Sequence, residues 1–258
     1  MTPPPQYTHL GPFRELFRSG LPILTYHKFG APPRGARLRG LHVREELLRR
    51  QLAEMRREGY SSGPPGPAAE AVAEAGAVAE RRALALTIDD GFRSVHEIAL
   101  PLLVEHGFQA LLYLVADRLN GTNDWEMAQG EVRAPLMTDT EVREWLAAGQ
   151  RIGAHTLTHP WLTQVPRELA REEIQASRRR LEDRFGVEVV DFCYPYGDWN
   201  PAVRDEVIDA GYRTAVTTEF GVNAAGADRW ALRRITARHA SRGWRAVRGW
   251  WRRRFGGA

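Results

Sequence analysis

The sequence predicts an α/β protein, a closed or nearly closed (β/α) barrel of about seven parallel strands surrounded by helices. Short apolar segments bounded by glycine and proline recur along the chain, and longer segments with helical periodicity separate them. Polar residues also follow several of the apolar segments at their carboxyl ends. Strands that alternate with helices pair in parallel, and a parallel barrel gathers the residues at its carboxyl strand ends into one site.

The strands are predicted from short apolar runs that end in turn residues. They are residues 21–27, 83–89, 109–116, 151–155, 189–194, 214–218 and 232–236. This number of strands favours a closed or nearly closed barrel over an open doubly wound sheet. The chain also lacks a Gly-x-Gly-x-x-Gly or phosphate-loop pattern, which argues against a nucleotide-binding fold.

The helices are predicted from helical spacing of the apolar residues in 43–59, from the Ala/Glu-rich composition of 68–80, and from the segments that separate the later strands. They span residues 43–59, 68–80, 94–106, 166–185 and about 200–210. Pro101 falls inside the third of these, so we expect a kink there. A further helix is predicted to begin after Thr138, because Thr138 is a good cap and acidic residues follow it in the first turn.

The composition indicates one globular domain. The chain has 258 residues, of which 43% are hydrophobic, enough for a substantial core. Residues 1–20 are predicted to be an N-terminal extension, residues 21–240 the barrel, and residues 241–258 a basic, aromatic tail. The sequence shows neither a signal-peptide pattern at its start nor an apolar run long enough to span a bilayer, so the expected location is the cytoplasm.

Positive charge is concentrated in the C-terminal tail. Residues 242–258 contain six arginines and no acidic residue, whereas the whole chain has a net charge of only +4. One helical face of the tail carries Trp244, Val247, Trp251 and Phe255, a pattern typical of a helix on an anionic membrane surface. The alternative is a terminal helix packed on the barrel. Nucleic acid is not an expected partner, because nothing else forms a basic groove.

Two motifs at predicted strand ends carry the groups of a hydrolytic metal site. Asp89 and Asp90 end one strand, and His155 and His159 follow another with three residues between them. Two imidazoles and one carboxylate form a ligand set typical of catalytic zinc, although other transition metals also accept it. We therefore predict one divalent metal, zinc first, held by Asp90, His155 and His159. Asp89 remains free to take a proton from water.

These motifs resemble those of the polysaccharide deacetylase family, also called the NodB-homology or carbohydrate esterase 4 family. Residues 87–91 are similar to its Thr-Phe-Asp-Asp-Gly motif, and residues 155–159 to its His-Ser/Thr-x-x-His metal motif. Residues 194–197 (Tyr-Pro-Tyr-Gly) and 26–27 (Tyr-His) resemble the branch that deacetylates exported β-linked N-acetylglucosamine polymers. The resemblance extends over residues 21–240.

The resemblance implies a distorted barrel and metal-dependent removal of an acetyl group from a sugar. By this analogy Asp89 is the base, and Asp90, His155 and His159 hold the metal. The backbone N–H of Tyr196, which follows Pro195, then stabilises the oxyanion of the tetrahedral intermediate together with the metal.

The sequence departs from the family pattern in two places. Cys193 stands where many members have an arginine that orients the catalytic aspartate, so the group that holds Asp89 is not identified. The family's late Leu-x-His motif, which supplies the general acid, is not evident at residues 232–235, and His239 lies slightly beyond them. His27, at the end of the first strand, is our preferred acid. The alternative for His27 is a buried histidine held only by hydrogen bonds.

A long polar loop at residues 117–137 is the remaining candidate for substrate contact, since loops of this length in compact domains are usually functional. Within it, Trp125 either stacks on a sugar ring or pins the loop to the barrel.

The predicted function is hydrolysis of the N-acetyl group of an amino sugar in a polysaccharide or oligosaccharide, with release of acetate. The absence of a signal-peptide pattern motivates an alternative, a deacylase of a lipid-linked or small sugar on the cytoplasmic side. The departures from the family pattern motivate another, a carbohydrate-binding barrel without catalysis. We expect a carbohydrate partner in all three cases.

Overall fold

The computed structural model of the protein describes residues 5–63 and 82–238. The helix predicted at residues 68–80, the tail at residues 241–258 and His239 lie outside the described residues. The proposed membrane contact of the tail therefore stays a prediction. No helix in the described ranges has both the length and the apolar character that crossing a membrane requires.

Seven parallel strands close into a ring, which confirms the predicted barrel. The strands of the protein are β1 (Ile23–Tyr26), β2 (Lys28–Phe29), β3 (His42–Val43), β4 (Ser61–Ser62), β5 (Ala83–Ile88), β6 (Ala110–Leu114), β7 (Arg151–Ala154), β8 (Asp191–Cys193), β9 (Thr214–Phe220) and β10 (Leu232–Thr236). The ring runs from β5 through β10 in chain order, and β1 closes it by pairing with both β10 and β5. β4 adds to β5 outside the ring, and β2 pairs with β3.

The helices lie close to the predicted positions. They are α1 (Arg14–Arg18), α2 (Glu45–Arg57), α3 (Leu100–His106), α4 (Asp139–Ala147), α5 (Arg167–Phe185) and α6 (Pro201–Asp209). The predicted cap of α4 is confirmed as a capping box, because Thr138 accepts from the backbone N–H of Glu141 and the Glu141 carboxylate accepts from that of Thr138. A π-helical stretch, Val95–Ala99, precedes α3. Pro101 is the second residue of α3, which follows this stretch directly, so the expected irregularity appears as a π-helical segment just before that helix.

Buried side chains form two layers. Residues of the inner layer come from strands all around the ring, so they fill the barrel interior: Leu21, Ile23, Ala85, Leu111, Tyr113, Cys193, Val216 and Leu232. The larger layer lies between the strands and the helices. It includes Tyr7, Leu10, Phe13 and Phe17 from the N-terminal extension, which are all buried. The backbone N–H of Tyr7 donates to Thr236 O on the last strand at 3.0 Å.

Side-chain direction alternates along a strand, so the side chains two residues further on also point into the barrel, nearer to its carboxyl end. Beyond Ile23, Ala85 and Leu232 in this direction lie Thr25, Thr87 and Arg234, and all three are buried. The carboxyl end of the barrel therefore has a polar interior.

Candidate active site

A cleft of about 430 Å³ lies at the carboxyl ends of the barrel strands. The predicted site residues that line it are His27, Asp89, Asp90, Trp125, His155, His159 and Tyr196. Pro195 is buried and begins the short 3₁₀ turn that carries Tyr196. The structure thus brings together residues that are up to 169 positions apart in the chain because strand ends meet at one edge of the barrel.

Asp90, His155 and His159 converge on one point. Asp90 Oδ1 lies 3.5 Å from His155 Nε2 and 3.4 Å from His159 Nε2, and all three residues are buried. One ligand atom from each lies within 4.8 Å of the others. His155 Nδ1 donates to the Cys193 carbonyl at 2.7 Å, which leaves Nε2 as a lone-pair donor. A carboxylate and two imidazoles in this arrangement fit a divalent transition metal such as zinc.

The backbone at the site adopts conformations that are uncommon outside glycine. The described residues include six non-glycine residues with positive φ, and four belong to the site: Asp90 (76°), Thr156 (65°), His159 (69°) and Tyr196 (61°). Each such residue costs free energy and persists only where its surroundings impose it. These turns point the candidate metal ligands at a common centre immediately after the strands end.

Glu173 holds the loop between the two histidines. It lies on α5 and is buried, and its Oε2 accepts from the backbone N–H groups of Leu157 and Thr158 at 2.8 and 2.9 Å. Its Oε1 accepts from Thr158 Oγ1 at 2.6 Å. The sequence analysis missed this residue. Its signal was an acidic side chain on the apolar face of α5, one position before the buried Ile174.

Arg234 is the group that holds Asp89. Its Nη1 and Nη2 donate to Asp89 Oδ1 and Oδ2, each at 2.7 Å, and Nε donates to the Thr217 carbonyl at 2.8 Å. Nη2 also lies 3.3 Å from Cys193 Sγ. The sequence alone did not identify this residue, because the family pattern places the arginine at residue 193, on β8. The arginine instead comes from β10, and the small Cys193 side chain lies beside it.

The surroundings of the two aspartates favour their charged forms, whereas burial of His27 favours its neutral form. Burial raises the pKa of Asp89, but the charge and hydrogen bonds of Arg234 outweigh it and hold the pKa below its usual value. Burial also raises the pKa of Asp90, but the neighbouring His155 and His159 outweigh it and hold that pKa well below the usual range. Burial lowers the pKa of His27, with Asp89 acting in the opposite direction. His27 Nε2 is 3.7 Å from Asp89 Oδ2.

Aromatic rings surround His159 and form a wall of the cleft. Trp125 stacks on His159 with 4.9 Å between ring centroids, and Tyr196 meets His159 edge-on at 4.5 Å. Trp161 stacks on Tyr196 at 4.0 Å with nearly parallel planes. Trp125 therefore both fastens the loop of residues 117–137 to the site and lines the cleft. Trp161 also lines the cleft and was not among the predicted residues.

Comparison with known families decides the assignment. The sequence profile of the family described as polysaccharide deacetylase matches residues 77–215, more than half of the chain. The chain belongs to the polysaccharide deacetylase family. The resemblance of the motifs to this family is confirmed, and so is the prediction of a hydrolase of the polysaccharide deacetylase type acting on carbon–nitrogen bonds.

Individual relatives are distant in sequence but similar in fold. YxkH of Bacillus subtilis (strain 168), which has a provisional polysaccharide deacetylase name, is 22% identical over 83% of this chain and 70% of its own. The deacetylase PplD of Streptococcus pyogenes, solved with acetate, superposes with a TM-score of 0.73 at 22% identity and covers 89% of this chain and 97% of its own. IcaB from Ammonifex degensii gives a TM-score of 0.73 at 23% identity, covering 90% and 97%. These superpositions support the barrel fold of the polysaccharide deacetylase.

Proposed function

We propose that this polysaccharide deacetylase hydrolyses the N-acetyl group of an amino sugar in a polysaccharide or oligosaccharide, in a metal-dependent reaction that releases acetate. One observation carries the proposal. Asp90, His155 and His159 converge as a ligand set, while the adjacent Asp89 is held by Arg234 and faces the same cleft. A carboxylate beside a metal site, but outside its ligand set, is the arrangement that general-base hydrolysis requires.

The roles of the side chains follow from their positions. A metal held by Asp90, His155 and His159 supplies Lewis acidity, which polarises the amide carbonyl and makes water more acidic. Asp89, kept ionised by Arg234, accepts the proton of the attacking water.

The remaining steps concern the oxyanion and the leaving amine. The backbone N–H of Tyr196 stabilises the oxyanion at the edge of the cleft. His27 protonates the amine nitrogen as the C–N bond breaks. Burial lowers the pKa of His27 and so makes its protonated form a stronger acid, whereas Asp89 beside it favours that protonated form.

Metal removal tests the first part of the proposal. Protein treated with a chelator should lose deacetylase activity and recover it when zinc or cobalt is added. Full activity in protein shown by elemental analysis to be metal-free would overturn the mechanism.

Two substitutions separate metal binding from proton transfer. Asp90→Asn should lower zinc affinity and activity together. Asp89→Asn should retain zinc while kcat falls by roughly 10²–10⁴-fold, the range expected for loss of a general base. Unchanged sugar binding in Asp89→Asn, with no turnover in either protein, would instead identify a carbohydrate-binding barrel.

The substrate class is tested by acetate release from polymeric, oligomeric and lipid-linked N-acetylated sugars assayed in parallel. Turnover of polymers and oligomers supports the proposal. Turnover confined to lipid-linked or small sugars would assign the cytoplasmic-side alternative.

A further inference from the structure

A buried ion pair outside the metal site joins two elements that carry site residues. Lys28 is the only lysine among the 36 lysine and arginine residues of the chain. Its Nζ lies 2.7 Å from Glu126 Oε2, and the two side chains are only 4% and 6% exposed. The same Nζ lies 4.4 Å from the centroid of the Phe92 ring. An ammonium is a compact charge and fits between a carboxylate and an aromatic face.

Each partner of Lys28 is attached directly to the candidate active site. Lys28 follows His27, and Glu126 follows Trp125, whose ring stacks on the predicted ligand His159. Phe92 comes two residues after Asp90, and its ring centroid is 6.5 Å from that of Trp125. The ion pair therefore couples the strand end that carries the proposed acid to the loop that covers the metal-binding side chains.

Glu126 is also the point where the loop of residues 117–137 is fastened internally. Asn123 Nδ2 donates to Glu126 Oε2 and to the Val132 carbonyl. Asn123 Oδ1 accepts from the backbone N–H of Ala134 at 2.6 Å. Movement of Glu126 would therefore displace both sides of the loop together with Trp125.

Stability alone does not account for this pair. Two buried charges lose their hydration, and apolar residues of similar volume often give an equally stable or more stable protein. Glu126 also lines the same cleft as Asp90. Burial and the charge of Asp90 raise the pKa of Glu126, while Lys28 acts in the opposite direction. Lys28 thus neutralises the Glu126 carboxylate, which lines the same cleft as the predicted metal ligand Asp90.

We propose that Lys28 and Glu126 are positioning residues for the deacetylation: their ion pair fixes His27 relative to the Trp125 ring on His159. This inference rests on the proposed function. It assigns the pair a role in catalytic geometry that packing of the same volume would not replace.

The test compares the single variant Lys28→Met with the double variant Lys28→Met/Glu126→Met. The single variant should melt at a lower temperature, because it leaves a buried carboxylate without its cation. The double variant should regain most of that thermal stability. Its kcat should nevertheless stay ~10- to 100-fold below wild type, the scale expected when a reacting group is misplaced by about 1 Å.

Glu206→Gln serves as the control for destabilisation by the loss of an ion pair that a buried carboxylate makes. Glu206 is buried on α6, lies outside the cleft lining, and pairs with Arg167 and Arg171 of α5. This variant should melt at a lower temperature with kcat unchanged. A double variant at Lys28 and Glu126 that recovers both melting temperature and kcat would overturn the positioning role, as would full kcat in Lys28→Met.

A second readout needs no turnover. Zinc titration should change the emission of Trp125, obtained as the difference between each protein and its Trp125→Phe version, because the ring rests on His159. The double variant should show a smaller change than the protein with the pair intact. Equal changes would overturn the inference even if no sugar proved to be a substrate, whereas absent turnover with a reduced change would count only against the proposed reaction.

Discussion

The metal side and the base side of the candidate site are held in different ways. On the metal side, positive-φ turns and the hydrogen bonds of Glu173 shape the backbone so that three side chains meet. On the base side, the end of one side chain, Arg234, holds Asp89 from a strand 145 residues further along the chain. Shaping the backbone of a turn requires residues that are contiguous in the sequence. Holding the Asp89 carboxylate requires only that a guanidinium lies beside it, and any neighbouring strand can supply that group.

The largest expected effect comes from breaking the base side with Arg234→Met. A buried carboxylate left without its partner costs ~3–5 kcal/mol, so the protein should melt at a clearly lower temperature. Burial then raises the pKa of Asp89, with only His27 and His155 left to act in the opposite direction. Since the base must be ionised, the acidic limb of the kcat/KM profile should move to higher pH.

Arg233→Met is the matched control, because the Arg233 side chain is 59% exposed on the same strand. It should leave the pH profile in place. An unshifted acidic limb in Arg234→Met would show that Arg234 does not govern the ionisation of Asp89.

The second prediction moves the arginine from β10 to β8. In Cys193→Arg/Arg234→Met, the new guanidinium starts from a residue whose Sγ already lies 3.3 Å from Arg234 Nη2. Activity should recover at least about tenfold over Arg234→Met, because one charge-assisted bidentate pair replaces another. Recovery measured as kcat at the pH optimum would support the interchangeability of side-chain supports. A folded double variant as inactive as the single would show that the β10 geometry is required.

The third prediction breaks the metal side through Glu173→Ala. The loop between His155 and His159 loses the acceptor of three hydrogen bonds, so zinc affinity should fall by ~10- to 100-fold, as is typical for outer-shell partners of metal ligands. Competition with a chromophoric chelator measures this affinity. Glu172→Ala, at a neighbouring position that is 63% exposed, should bind zinc normally. Wild-type affinity in Glu173→Ala would remove Glu173 from the account of the site.

The smallest expected effect concerns the wall of the cleft. Trp161→Ala removes the ring stacked on Tyr196, an interaction of about 0.5–1.5 kcal/mol beyond the area buried. KM for an oligosaccharide should rise a few-fold, while zinc affinity stays unchanged because Trp161 is not a ligand. Trp161→Phe should lie between the two proteins. A fall in zinc affinity would show that the stack supports the metal side as well.

The same contrast explains what the sequence could and could not predict. The strands and the Thr138 cap depend on local sequence patterns, and these were predicted correctly. The proximity of Asp90, His155 and His159 follows from their positions at or just after strand ends. The alternation of Leu232, Arg233 and Arg234 indicates an inward-facing arginine but not its partner. That partner is set by the register of β10 beside β1 and of β1 beside β5, which no local pattern specifies.

Glu173 was missed for a related reason. Its place on the buried face of α5 can be read from helical spacing, but its bonds to Leu157 and Thr158 depend on how α5 packs against the loop. The cysteine at position 193 did indicate that the group holding Asp89 comes from another part of the chain. Arg234, which supplies that group, lies in contact with Cys193.

The ring closes through pairing of β1 with β10, so the order of synthesis decides when the parts of the site come together. Asp90, His155 and His159 all leave the ribosome before β10 does, since synthesis proceeds from the N-terminus. A nascent chain that ends before residue 232 already contains the three candidate metal ligands, but Asp89 has no guanidinium beside it. Asp89 therefore acquires its partner only when β10 docks between β9 and β1. The support of the proposed base is thus placed last, by the strand that completes the barrel.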